Sequence, residues 1–287
     1  MVVVGRVTTE EDFHSFLEKL EVKGAIFVIK PNWNTMENST SAQTLDWLLS
    51  ALRGNVKIID GYSAWRNQLS LGSGQREAVT PSNARMKWQW IKEQDKWFLK
   101  HTGTDKVLEK HEVEYINVTE EVWSMKTLEA SDVRDLVDSK YGVLLSREMY
   151  NFVPTRIYEL RGSTFISLNS SHYSHGEISL STSNLFTLIP DPTRHVKWSG
   201  RNQTRFSQSI VDINKIYRSI FSPCYWINEI RDKGVFVASK NSVEADSVAA
   251  KLLGLNPQDI NYLSRLAKVF GDYDKTLLAK LPNLNQE

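Results

Sequence analysis

The sequence predicts an open α/β fold, a mainly parallel sheet with helices packed on both faces, and three observations carry that prediction. Ala25-Ile26-Phe27-Val28-Ile29 is a continuous apolar run without polar alternation, the pattern of a strand covered on both sides. A helical pattern and a second short apolar run follow within about 35 residues, the length of one strand–helix–strand crossover. The composition, 41% hydrophobic and 24% charged over 287 residues, suffices to bury a sizeable core under a charged surface. Open sheets of this size commonly form one unit, so residues 1–287 are read as a single α/β domain.

The elements follow in order. Val2 to Val7 reads as a strand, and Thr9 caps a helix on which Phe13, Phe16, Leu17 and Leu20 recur at helical spacing. Gly24 releases the apolar strand, which ends in Lys30-Pro31-Asn32. A helix over 41–53 places Leu45, Leu48, Leu49 and Leu52 on one face and stops at Gly54, and Val56 to Ile59 is the next strand, ending at Asp60-Gly61. Such crossovers keep successive strands parallel, which makes the sheet Rossmann-like.

Residues 62–83 are polar and rich in glycine and serine, longer than an ordinary connection, and are expected to form a lid loop. A helix over 85–101 is expected to pack Trp88, Trp90 and Trp97 on the sheet while its lysines stay in water. A strand near 113–118 follows, then a stretch to Pro154 with no clear pattern. Thr164 to Leu168 is a short buried strand opening into Asn169-Ser170-Ser171-His172-Tyr173-Ser174-His175-Gly176. Helical patterns over 178–188 and 206–221, a strand over 234–238, and helices over 243–253 and 258–270 complete the domain, leaving 275–287 as a C-terminal tail.

Thirty-five basic against thirty-four acidic residues create no overall field toward nucleic acid or anionic lipid, so neither is expected as a partner. Cys224 is the only cysteine, which excludes an internal disulfide and makes an iron–sulfur cluster unlikely, since such clusters need about four thiolates. A reducing, cytoplasmic location is the expectation. The apolar run at the N-terminus is three valines long, too short for a signal-peptide core or a membrane span.

In a parallel sheet, ligands gather beyond the carboxyl ends of strands, where side chains converge. Lys30, Asn32 and Asp60 fall at such ends: Lys30 can hold an anion as a point charge, Asn32 can orient it, and Asp60 either moves a proton or caps the next loop. His172 and His175 are candidates for proton transfer or, weakly, for a metal, with surface positions as the alternative. Asn184, Arg194 and His195 form a further polar set, in which Arg194 either grips an oxyanion or pairs with Asp191 on the surface. Asn241 and Glu244 fit a reciprocal helix cap, whereas Asp246 lies beyond the first turn and is a candidate to face the pocket.

Four segments, in order, carry a family resemblance: Val28-Ile29-Lys30-Pro31-Asn32 with Asp60-Gly61; Phe165-Ile166-Ser167-Leu168 through His172; Ser183-Asn184-Leu185-Phe186 through Arg194-His195; and Gly234 to Gly254 with Glu244-Ala245-Asp246 and Leu252-Leu253-Gly254. Together they resemble the family known as "domain of unknown function 362". The resemblance implies a site built from those segments and favours His172 over His175, which lies off the motif position. It also marks a departure: relatives usually carry lysines where this chain has Ser170 and Ser183, so two positive charges are missing. The expected function is an enzyme that binds a small anionic molecule. In it, Lys30 and Arg194 bind charge, Asn32 and Asn184 orient, His195 is a further ligand-binding candidate, and His172 with Asp246 or Asp60 moves a proton. The alternative is a non-catalytic module using the same mouth.

Overall fold

The architecture is that of a computed structural model, which describes residues 1–63, 66, 88–174, 177–191, 194, 197 and 203–284. Its strands are β1 (Val2–Arg6), β2 (Ile26–Pro31), β3 (Asn55–Asp60), β4 (Glu114–Asn117), β5 (Thr164–Ser170), β6 (His172–Ser174), β7 (Glu177–Ser179), β8 (Cys224–Ile230) and β9 (Val235–Ser239). All but β6 and β7 join one sheet in the order β1-β9-β8-β5-β2-β3-β4. The five strands from β8 to β4 run parallel, and β9 and β1 close one edge antiparallel. The open, mainly parallel α/β sheet is therefore as the sequence predicts, with an antiparallel edge added.

Side chains alternate across each strand, so neighbouring residues enter different cores. Phe27, Ile29, Ile58, Ile166, Leu168 and Ile227 face a cluster shared with α1 (Glu10–Leu20), α2 (Ala42–Ala51), α3 (Trp88–His101) and α4 (Thr104–Lys110). Val28, Ile59, Phe165 and Trp226 face the opposite cluster, shared with α5 (Val118–Trp123), α6 (Ala130–Tyr141), α7 (Thr155–Glu159) and α8 (Gln203–Ile220). That second layer continues over β9 through α9 (Ser242–Leu252), α10 (Asn261–Phe270) and α11 (Lys275–Ala279), where Leu278 is buried. Burying apolar area on both faces at roughly 25 cal/mol per Å² is what holds the layers together.

Local signals hold at several points. Thr9 accepts from the Asp12 amide while the Asp12 carboxylate accepts from the Thr9 amide, a complete capping box on α1. Asn241 caps α9, but Glu244 does not return the bond: its carboxylate accepts from Ser239 Oγ at 2.7 Å, so half of the expected cap is corrected. On α3 the buried face is Ile91, Asp95 and Phe98; Trp97 is 39% exposed and stacked on His101, so it does not join the packed face expected of it, whereas Trp88 sets its ring edge-on to Trp123. The helix expected over 178–188 is instead the end of the β6–β7 hairpin followed by a 3-10 turn, Ser183–Leu188. Among the described residues no helix is long and apolar enough to cross a membrane. Of the proposed lid, Tyr62, Ser63 and Arg66 are described and buried, and the rest lies outside the described residues.

Candidate functional site

From β2 the chain travels one way through β3 to β4, and the later strands β5 and β8 are laid down on the other side of β2. The direction of travel thus reverses between β2 and β5, and in open α/β sheets it is beyond the carboxyl ends of strands at such a reversal that ligands bind. Lys30, Asn32 and His172 sit at these ends.

Strand alternation puts Lys30, Ser167, Asn169 and Asn228 on the same sheet face, and the registers Lys30↔Ser167 and Asn169↔Asn228 align them as a polar belt across β2, β5 and β8. The belt is buried throughout. The Lys30 ammonium donates to Asn184 Oδ1 at 3.0 Å and to the Pro31 carbonyl at 2.6 Å, and it pairs with Asp60 Oδ1 at 3.0 Å. Three donors thus meet three acceptors. Burial pulls the Lys30 pKa down from 10.5 to about 8, against the attraction of Asp60. Asn184 donates to the Lys30 carbonyl and to Ser167 Oγ, which in turn donates to the Ser181 carbonyl.

Asp60 Oδ1 also accepts from the Gly61 amide and from Thr187 Oγ1, which ties β3 to the Ser183–Leu188 turn. A Cβ at Gly61 would collide with the Thr187 carbonyl, so the backbones approach there as only glycine allows. Arg66 lies 3.7 Å from Asp60 Oδ2, pairs with Asp95, donates to the Trp33 and Gly61 carbonyls and rests over the Phe98 ring. Burial pushes the Asp95 carboxyl up, and the Arg66 guanidinium opposes that rise.

Asp246 projects from α9 into the far end of the belt. Its carboxylate accepts from the amides and hydroxyls of both Ser181 and Thr182 and from Asn228 Nδ2. Burial raises its pKa against the lowering effect of those bonds. With both oxygens enclosed, Asp246 fixes the loop that carries Asn184. Arg194 is paired with Asp191 at 3.1 Å, but the pair is buried rather than on the surface, and the guanidinium also donates to the Tyr62 and Ile189 carbonyls.

Asn32 and His172 stand at the mouth. Asn32 Nδ2 donates to Asn169 Oδ1 at 3.0 Å and to the Ser170 carbonyl at 3.3 Å, and the same carbonyl lies 3.0 Å from His172 Nδ1. A carbonyl can only accept, so Nδ1 carries the hydrogen and Nε2 keeps its lone pair. Burial holds the His172 pKa below the usual imidazole range, so the ring is neutral near pH 7. No described residue hydrogen-bonds to Nε2.

Lys30, Asn32, Asp60, His172, Asn184 and Asp246 are thus joined through one chain of contacts, with Arg194 bound to the backbone beside it. His175 and His195 lie outside the described residues. Among the described residues no three histidine, cysteine, aspartate or glutamate side chains are placed to hold a metal ion. Cys224 sits at the start of β8, away from the mouth, and burial pushes its thiol up to about 11, which leaves it unreactive.

The sequence reading missed Ser167, Ser181, Asn169 and Asn228 in the belt, and Glu229 at the end of β8. Glu229 is 6% exposed, its Oε1 accepts from Thr44 Oγ1 at 3.3 Å, and burial raises its pKa. Finding Asn228 and Glu229 required β8 itself, whose signal was present: the run Tyr225-Trp226-Ile227 is bounded by Pro223 and Gly234. No protein-family model, no curated protein and no solved structure matches this chain, so its chemistry is read from this geometry alone.

Proposed function

We propose that this chain is an enzyme that binds a small anionic molecule in the crevice between the carboxyl ends of β2 and β5, with His172 as the group that takes up or returns a proton. The observation that carries the reading is the state of His172: a neutral ring, its tautomer fixed by the Ser170 carbonyl, with an Nε2 lone pair that no described residue takes up, at the topological switch point. Lys30, held positive by Asp60 and Asn184, contributes positive potential from beneath, and Asn32 fixes the position of the Ser170 carbonyl that orients the ring. Membership of the family that the four ordered segments resemble is part of the same proposal.

Titration of the full chain with succinate, followed by NMR, tests it. Saturable binding with shifts at residues 32–34 and 169–172 is the expected result, and it should persist in His172→Ala, because a neutral Nε2 offers a carboxylate no hydrogen and acts in proton transfer instead. Shifts confined to other parts of the surface would reject it.

A second reading, a binding module without catalysis, is favoured by one observation: Lys30, Asp60, Arg194 and Asp246 commit their charges to internal partners. Under that reading His172→Gln leaves ligand affinity near the parent value, and no small acid is turned over by either protein.

A further inference from the structure

At the mouth of the crevice, Glu229 is out of balance with its surroundings. It is the penultimate residue of β8, on the face that carries α2, and its carboxylate is held by Thr44 Oγ1 in the first turn of that helix. Arg231 is its nearest cation, with Nε 3.7 Å from Oε1. That arginine is 38% exposed in its side chain and donates to the Ser39 carbonyl, so its charge is shared with solvent and backbone. Glu229 Oε2 is buried without a hydrogen-bond partner among the described residues. A buried carboxylate oxygen left without a donor costs more than the pairing of its twin returns.

His172 follows Ser171, whose amide donates to the Glu229 carbonyl at 2.8 Å, and the charge of Arg231 helps to keep its ring neutral. Two acceptors without a partner among the described residues, Glu229 Oε2 and His172 Nε2, thus belong to adjoining backbone segments, and the missing partner is a donor. An ammonium group suits this arrangement better than a hydroxyl, since it brings three hydrogens and the positive charge that the carboxylate lacks. The exposed edge of Arg231 can meanwhile take a carboxylate in a two-point grip.

We infer that Glu229 makes this crevice selective for small acids that also carry an amine, the α-amino acid class, over the same acids without one. The inference rests on the proposed function and names its substrate class. A purely structural Glu229, serving only as a counter-charge to the first turn of α2, predicts no such preference.

L-Aspartate and succinate share a carbon skeleton and differ by one amine, so their dissociation constants, measured by calorimetry on the full chain, separate the two roles. L-Aspartate should bind about tenfold or more tighter than succinate. Glu229→Gln should erase most of that preference by weakening L-aspartate while leaving succinate within about twofold. Equal binding of the two acids by the parent chain, or a preference unchanged in Glu229→Gln, overturns the role of Glu229 and leaves the anion site standing. Failure of both acids to bind removes the proposed function and this inference together. The parent comparison needs no variant, so a Glu229→Gln protein that folds poorly does not shield the idea.

Discussion

The belt and the mouth are both polar and lie within a few residues of one another, yet they have opposite hydrogen-bonding states. In the belt, Lys30, Asn184 and Asp246 have every side-chain polar atom engaged. At the mouth, His172 Nε2 and Glu229 Oε2 have no hydrogen-bond partner among the described residues. Polar groups that satisfy one another specify a structure, while groups left open at a switch point await a ligand. Charge and burial alone would have chosen the belt as the reacting centre; the partner of each atom moves the choice to the mouth.

The comparison can be broken most directly at Asp246. Asp246→Ala strands five donors in a buried site and should lower the unfolding free energy by about 3–5 kcal/mol in urea titrations. A parent-like midpoint would mean that the belt does not hold the fold.

Lys30→Met should follow, at roughly 3 kcal/mol, because Asp60 loses its ammonium partner. Its pH signature is more specific. Lys30 titrates at about 8 when folded and near 10.5 when unfolded, so the unfolded chain holds more protons between those values. That difference makes the parent protein gain stability as pH rises through the window. Lys30→Met should lack this rise when urea midpoints at pH 8 and pH 10 are compared, and an unchanged pH slope would refute the assignment.

His172 should matter to ligand rather than to fold. NMR titration of its ring should give a midpoint below 6.5, with succinate affinity rising, and any preference for L-aspartate shrinking, as acid turns Nε2 from an acceptor into a charged donor. A midpoint at or above 6.5 would remove the neutral ring on which the mouth depends. The smallest effect sharpens the contrast from outside both regions: Asn241→Ala, which deletes only the cap of α9, should cost about 1 kcal/mol and leave binding unchanged.

Much of this fold was legible because its strongest signals are local. The apolar β2, the leucine face of α2 and the Thr9 cap all read correctly from residue type and spacing. The site was legible in part, since the ends of β2, β3 and β5 could be found and their convergence follows from parallel pairing. What stayed hidden was of two kinds. β8 carries Asn228 and Glu229 within a buried strand, and its polar end masks the apolar run before it. The run 178–188 has a helical spacing of apolar residues, but Tyr173 pairs with Ile178 across the hairpin and Ser183 Oγ bonds the Leu180 backbone, local bonds that outweigh the periodicity. The saturation of Asp246 was beyond sequence altogether, because four of its donors come from residues 64 or 65 positions away and the fifth from a neighbouring strand.

The antiparallel edge has a consequence for how the chain comes together. β1 finds its only neighbour in the sheet in β9, pairing Val2 with Ser239 and Arg6 with Val235. A ribosome must therefore release more than two hundred residues before the first strand gains its ladder, and closure of so long a loop comes late and slowly. A chain ended at residue 233 should accordingly be cut by proteases within residues 2–6, where the full-length protein resists them.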